Sequence, residues 1–239
     1  MASFKGIVIV DVDAKIPLAD RAAYAVAQQD QLKWDFEPAW DIEGLPVRVA
    51  TPSEPPLAGE IQMRLLDKPT LDGALGYHDR TEDGTPIAYI FCGLAKLYGD
   101  NWTSIASHEA LELSADPFLS RCVQMKDGFW DMEIADRVEQ DTYSRNGVLL
   151  SNFNTPECFE PPTTLTGVKF DHLGLSTAPN QVRPGGYSQK FDPAKGWVQM
   201  HNGDVSAYRL HLAALGMGRG KKRVTQTPRP SFLRRLFSF

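Results

Sequence analysis

In the run Ser107-His108-Glu109-Ala110-Leu111-Glu112, the imidazole of His108 and the carboxylate of Glu112 stand four positions apart. On a helix, residues i and i+4 share one face, one turn apart, so a single divalent ion can take both as ligands. Glu109 then lies about a hundred degrees round the same turn. From there its carboxylate can reach a metal-activated water and take its proton, as a general base does in hydrolysis.

A metal needs a further ligand, and the spacing points to Glu133 in Trp130-Asp131-Met132-Glu133-Ile134-Ala135-Asp136, 21 residues beyond Glu112. The segment Met132 to Asp141 is expected to be a second, ligand-bearing helix, which would place Asp136 one turn on, where it can hydrogen-bond a ligand and orient it. The expected metal ligands are therefore His108, Glu112 and Glu133. The pattern reads HExxE where zinc hydrolases of the HExxH type carry a second histidine. Two carboxylates nearly cancel a divalent charge and leave the ion a weaker Lewis acid. Zn2+ is the expected ion, with harder divalent metals left open because carboxylates suit them.

Hydrolysis of a carbonyl compound also requires a group that stabilises the developing oxyanion. Tyr143 is taken with Glu109 as catalytic, and His78, His172, His201 and His211 are the alternatives among which spacing does not choose. Asp11 and Asp13 read as a solvated pair beside a strand, Asp116-Pro117 as a helix stop, and Gly185-Gly186 as a turn.

The elements that must position these groups follow from periodicity and punctuation. Gly6 to Val12 is a short β-branched run expected to form a buried strand. A helix is expected from Pro17 to Trp34, broken by Asp35-Phe36-Glu37-Pro38-Ala39-Trp40. Strands are expected at Leu45 to Ala50, Gln62 to Leu66, Asp72 to His78 and Thr85 to Cys92, with a proline-rich loop over Thr51 to Gly59. The motif helix runs from about Trp102 to Ala115, and Asn146-Gly147 signals a type I′ hairpin within Thr142 to Ser151. Asn154 to Gly203 is rich in proline, glycine and turn residues and is expected to wrap irregularly on the core; Val205 to Leu215 reads as helix. The strand just before the motif helix, Thr85 to Cys92, is expected to form the edge of a cleft for an extended peptide or protein substrate. The fold class is thus α+β, a mixed sheet with a metal-binding helix and an irregular C-terminal part.

Hydrophobic residues make up 42% of the 239-residue chain and charged residues 23%, as in ordinary globular proteins. The net charge of -5 gives no reason to expect specific nucleic-acid binding. No apolar run approaches the roughly 18 residues of a spanning helix, and the amino terminus lacks the pattern of a signal peptide. A cytoplasmic location, or a virion assembled there, is expected. Cys92, Cys122 and Cys158 are too scattered for a disulfide framework or a thiolate metal site. Residues 5–215 read as one domain and 216–239 as a basic linker with an amphipathic tail. In that tail, Phe232, Leu233, Leu236, Phe237 and Phe239 flank Arg234 and Arg235, and a partner protein docked by residues 231–239 is expected ahead of membrane contact.

Several stretches together carry a family likeness. They are Asp35 to Trp40, Gly76 to Asp79, Gly84 to Tyr89, Trp102 to Glu112, Glu133 to Glu139, Gly147 to Phe159 and Pro184 to Tyr187. The set resembles a group of largely uncharacterised bacterial and phage proteins with an SHExLE-type helix, and covers roughly Lys5 to Tyr187. His-plus-Glu ligation with a distant Glu resembles the gluzincin branch of metallopeptidases. The likeness implies a zincin-like fold and a metal site, not a substrate. Two functions follow as expectations: a metal-dependent peptidase with Glu109 as base, or an inert zincin-like component of a phage particle or other assembly, anchored by its tail. The first is placed ahead because a scaffold that needs only the metal has no use for Glu109.

Overall fold

In the computed structural model the described residues are 4–71, 74–160 and 167–202. The expected helix at Val205 to Leu215, His211 and the amphipathic tail lie outside them. Strand β1 (Gly6–Asp11) is buried along Gly6 to Ile9, as its β-branched run requires. Helix α1 (Leu18–Gln31) follows, and the chain does not break where Pro38 suggested. It continues through a π-turn (Leu32–Phe36) into the short α2 (Glu37–Trp40), which carries Pro38 in its first turn.

Strands β2 (Val47–Val49), β3 (Glu60–Leu66), β4 (Gly76–Arg80) and β5 (Pro86–Phe91) complete a five-stranded sheet in the order β2-β1-β3-β5-β4. Neighbours are parallel except β4, which runs antiparallel to β5. This corrects one expectation: the edge strand is β4, and the strand before the motif helix, β5, is enclosed between β3 and β4. Helix α3 (Cys92–Tyr98) leads into the motif helix α4 (Trp102–Ala115). The Asn101 side chain caps α4 by accepting from the Thr103 amide, and the chain leaves the helix at Asp116 before Pro117.

A second sheet, in the order β11-β10-β7-β6, is built from two hairpins: β6 (Cys122–Met125) with β7 (Gly128–Asp131), and β10 (Tyr187–Asp192) with β11 (Gly196–His201). Two further expectations are corrected here. Glu133 does not lie on a helix: Met132 to Ala135 is an irregular stretch, followed by one 3-10 turn (Asp136–Val138). The segment after Asn154 is also not irregular throughout, since β10 pairs with β7 at Lys190 and Trp130. Between these hairpins, β8 (Thr142–Arg145) and β9 (Val148–Ser151) form the expected hairpin, with Asn146 and Gly147 both at positive φ as a type I′ turn demands.

Ten of the fourteen residues of α4 are buried, because it packs against β4, β5, β9 and α1. Ile7, Ile9, Tyr24, Met63, Ile90 and Leu113 belong to one core cluster, and Leu32, Phe36, Trp40, Leu111, Met132 and Phe153 to a second. The motif helix is thus shared by both cores. Cys92, Cys122 and Cys158 are buried free thiols.

Candidate metal centre

The site is assembled on α4. Asn101 fixes where its first turn begins, and Ser107, immediately before His108, ties it to its surroundings. Ser107 Oγ donates to Gln31 Oε1 at 2.7 Å and accepts from the Ser151 amide at 3.1 Å. Gln31 Nε2 in turn donates to the Ser151 carbonyl at 2.8 Å. This buried network sets the rotation of α4 against α1 and β9, and so the directions in which His108, Glu109 and Glu112 project.

Strand β4 brings a fourth group. Residue 76 is glycine because the helix lies too close for a side chain: a Cβ there would sit 2.6 Å from Ile105 Cγ2 and 3.3 Å from Glu109 Oε1. Two residues on, the pleat returns to the same face and presents His78 to α4. His78 Nδ1 lies 3.0 Å from Glu109 Oε2 and 3.5 Å from Glu112 Oε2.

The turn after β7 brings the last two. Arg137, fully buried, donates to the Asp131 side chain and carbonyl, to the Glu133 carbonyl and to Asn180 Oδ1. That fan of bonds holds the stretch that carries Glu133 and Asp136 without any helix. The Asp131 carboxylate also accepts from the Gln189 amide, so β10 buttresses the same turn. Glu133 Oε2 ends 3.9 Å from His78 Nε2, and Asp136 Oδ1 ends 3.1 Å from His108 Nε2. Glu112 Oε1 is also 3.1 Å from His108 Nε2.

Six side chains therefore converge: His78, His108, Glu109, Glu112, Glu133 and Asp136, none more than 6% exposed. His78 Nε2 and His108 Nε2 are buried, and neither has an aligned hydrogen-bond partner, although carboxylate oxygens stand 3.1 to 3.9 Å away. Burial works against a charged His108, but Glu112, Asp136 and Glu109 outweigh it and push its pKa up to about 10. Burial and the nearby Asp136 raise the Glu112 carboxyl, against the pull of His108. Carboxylates this crowded in a dry site are costly unless cations balance them.

The residues fit a metal ion. Ligand atoms about 2.1 Å from one ion stand roughly 3.0 to 3.4 Å apart, which is the spacing of His108 Nε2 from Glu112 Oε1. Among the described residues, two sets can each bring one ligand atom per residue within 4.8 Å of the others: His108, Glu109 and Glu112, and His78, Glu112 and Glu133. Of the ligands expected from sequence, His108 and Glu112 fall together, while Glu133 groups with His78 instead of His108. Asp136 stands directly beside His108. From sequence, His78 stands only among the candidate oxyanion stabilisers; its alternation with Gly76 in a strand beside the motif helix is the signal that places it here.

A cavity of about 230 Å³ adjoins this cluster, lined among others by Gly76, Asn101, Ile105, His108, Glu109 and Thr142. Its wall reaches the surface at Gly99, Asn101 and Gln140, which are exposed. Because Thr142 of β8 lines it, the next residue, Tyr143, points to the other face of the strand. The Tyr143 hydroxyl donates to Asp35 Oδ2 at 2.6 Å and accepts from Gln31 Nε2 at 3.1 Å. Its ring lies against His172, which stacks on Phe153. The structure thus separates Tyr143 and His172 from the cluster. His201 packs on Tyr187 in the second sheet. Asp11 accepts from the Lys15 and Ile16 amides and Asp13 from the Asp67 amide, loop-stabilising roles for both. Among the described residues, no helix is long and apolar enough to cross a membrane. Comparison with protein-family models, with curated proteins and with solved structures finds no match to this chain.

Proposed function

We propose that the chain is a metal-dependent hydrolase of zincin-like type, acting on a peptide or protein substrate. The observation that carries this reading is the convergence of two buried histidine nitrogens, both lacking aligned hydrogen bonds, with four buried carboxylates beside a cavity that reaches the surface. Its support from the fold is coarser: a mixed sheet whose antiparallel edge strand β4 lies alongside the helix that carries the motif.

A bound divalent cation, Zn2+ or a harder ion, would supply Lewis acidity and make water nucleophilic near neutral pH. His108 and Glu112 would hold it, with further carboxylate from the turn after β7. Glu109 lines the cavity and takes the proton of the attacking water, then returns it to the leaving amine. His78 Nδ1 fixes the Glu109 carboxylate by a 3.0 Å hydrogen bond, so the base is oriented before substrate arrives. Asp136 Oδ1 stands 3.1 Å from the same His108 Nε2 that Glu112 faces, so it would add a carboxylate ligand and does not hold the other ring nitrogen. The oxyanion group is not Tyr143 in this reading, since its hydroxyl is committed to Asp35 and Gln31.

The test is elemental analysis of protein purified without chelator, beside His108→Ala and Glu112→Ala, followed by peptide cleavage assays of Glu109→Gln. Bound divalent metal that both alanine variants lose, with cleavage abolished in Glu109→Gln while metal stays bound, supports the hydrolase. Metal retained with no cleavage by the parent across a peptide library leaves a zincin-like structural protein. No metal, even after loading with zinc or manganese, overturns both.

A further inference from the structure

We infer that the site holds two divalent cations bridged by Glu112, and not the single ion that the HExxE helix suggests by itself. The inference deepens the proposed function and rests on its claim that metal binds here. Its starting point is the orientation of one carboxylate. Glu112 Oε1 faces His108 Nε2 at 3.1 Å, while Glu112 Oε2 stands 3.5 Å from His78 Nδ1, on the ring whose other nitrogen, Nε2, is buried without a hydrogen-bond partner. The two oxygens of one side chain thus look toward two different histidines, one on its own helix and one on β4. A carboxylate that spans two ions presents its oxygens in this way, and such ions stand roughly 3.5–4 Å apart.

The ligand sets agree with this division. His108 and Glu112 Oε1, with Glu109 in reach, serve the first ion; His78, Glu133 and Glu112 Oε2 serve the second. Glu112 is the one residue common to both sets. With His78 Nδ1 engaged by Glu109, the ring nitrogen turned toward Glu133 is Nε2, which is buried and has no hydrogen-bond partner. Charge points the same way. Glu109, Glu112, Glu133 and Asp136 are all buried. Ionised, these four carboxylates would retain two negative charges around one divalent ion, and two ions would neutralise them. Carboxylate-rich ligation with only one imidazole per ion suits manganese, iron or zinc over softer metals.

The experiment is titration of the chelator-stripped full-length chain with Mn2+, read by calorimetry and by electron paramagnetic resonance. The expected result is two ions per chain and a spin-coupled multiline spectrum, reduced to one ion and an uncoupled spectrum by His78→Ala or Glu133→Gln. One ion per chain in the parent, uncoupled and unaffected by Glu133→Gln, overturns the paired site while leaving the hydrolase reading intact. Absence of any bound Mn2+ or Zn2+ overturns the hydrolase reading as well. The spectrum of the parent decides the question even where a variant fails to fold.

Discussion

The guanidinium of Arg137 donates from Nη2 to Asp131 Oδ1 at 2.9 Å, and neither side chain has any exposed surface. Arg137 also bonds the carbonyls of Asp131 and Glu133 and the side chain of Asn180, and its guanidinium lies 4.9 Å over the Phe159 ring. A planar fork with several donors can satisfy all of these at once; an ammonium group cannot. Removing it leaves Asp131 buried without its counter-charge. Arg137→Met should therefore destabilise the chain by about 3–5 kcal/mol, and Arg137→Lys should recover little of that loss. Chemical unfolding checks this; a lysine variant as stable as the parent would show that charge alone matters.

Gln31 and Ser107 act as a unit with the Ser151 backbone. Gln31→Ala leaves buried donors and acceptors unpaired and should cost about 1–3 kcal/mol. Ser107→Ala should cost a similar amount. The double variant should cost less than their sum, because each single change already disables the shared bond. Full additivity in a double-mutant cycle would mean that the network does not fix the motif helix.

The motif helix α4 was readable because its signals are local: an asparagine cap at Asn101, helical spacing, and the Asp116-Pro117 stop. The stretch that carries Glu133 was not. Met132, Ile134, Ala135 and Val138 are apolar, but they are buried because the chain threads through the core, held by Arg137. Apolar density of that kind does not distinguish a helix from a buried irregular segment.

Sheet order was illegible for another reason. Whether β4 or β5 takes the edge depends on which strand of the hairpin pairs with β3, a tertiary choice with no local marker. For the same reason β10 was hidden: Lys190 and Asp192 within it and Pro193-Ala194 after it look like loop, while its partner β7 lies far back in sequence. His78 became recognisable as a member of the site only once β4 was seen beside α4.

Asp171 makes stability depend on pH through a buried, hydrogen-bonded carboxylate. Burial would raise its carboxyl, but hydrogen bonds from Ser176, Asn152 and the Leu175 amide outweigh burial and lower it. A carboxylate depressed in the folded state contributes stability above its unfolded pKa of about 3.9, and that contribution is lost as pH falls through the lower folded value. Asp171→Asn should thus melt below the parent at neutral pH, and the gap should narrow below about pH 4. Comparing melting temperatures of the two proteins cancels the titration of other shared carboxylates. A gap that stays constant down to pH 3 would assign the loss to packing instead of charge.

Gly76 offers a test of how closely β4 and α4 must approach. A methyl group at position 76 would meet Ile105 Cγ2 at 2.6 Å and the Tyr89 carbonyl at 3.1 Å. Strand and helix must separate slightly to admit it, at a cost of about 1–3 kcal/mol for overpacking. The same displacement lengthens the 3.0 Å bond between His78 and Glu109, since His78 rides on β4 and Glu109 on α4. Gly76→Ala should therefore lower both thermal stability and divalent-metal affinity. Adding Ile105→Ala removes the closer clash and should restore part of each, leaving the backbone contact as the remainder. If Gly76→Ala lost stability but bound metal as tightly as the parent, the approach of β4 to α4 would matter for packing alone, and His78 would have no part in the site.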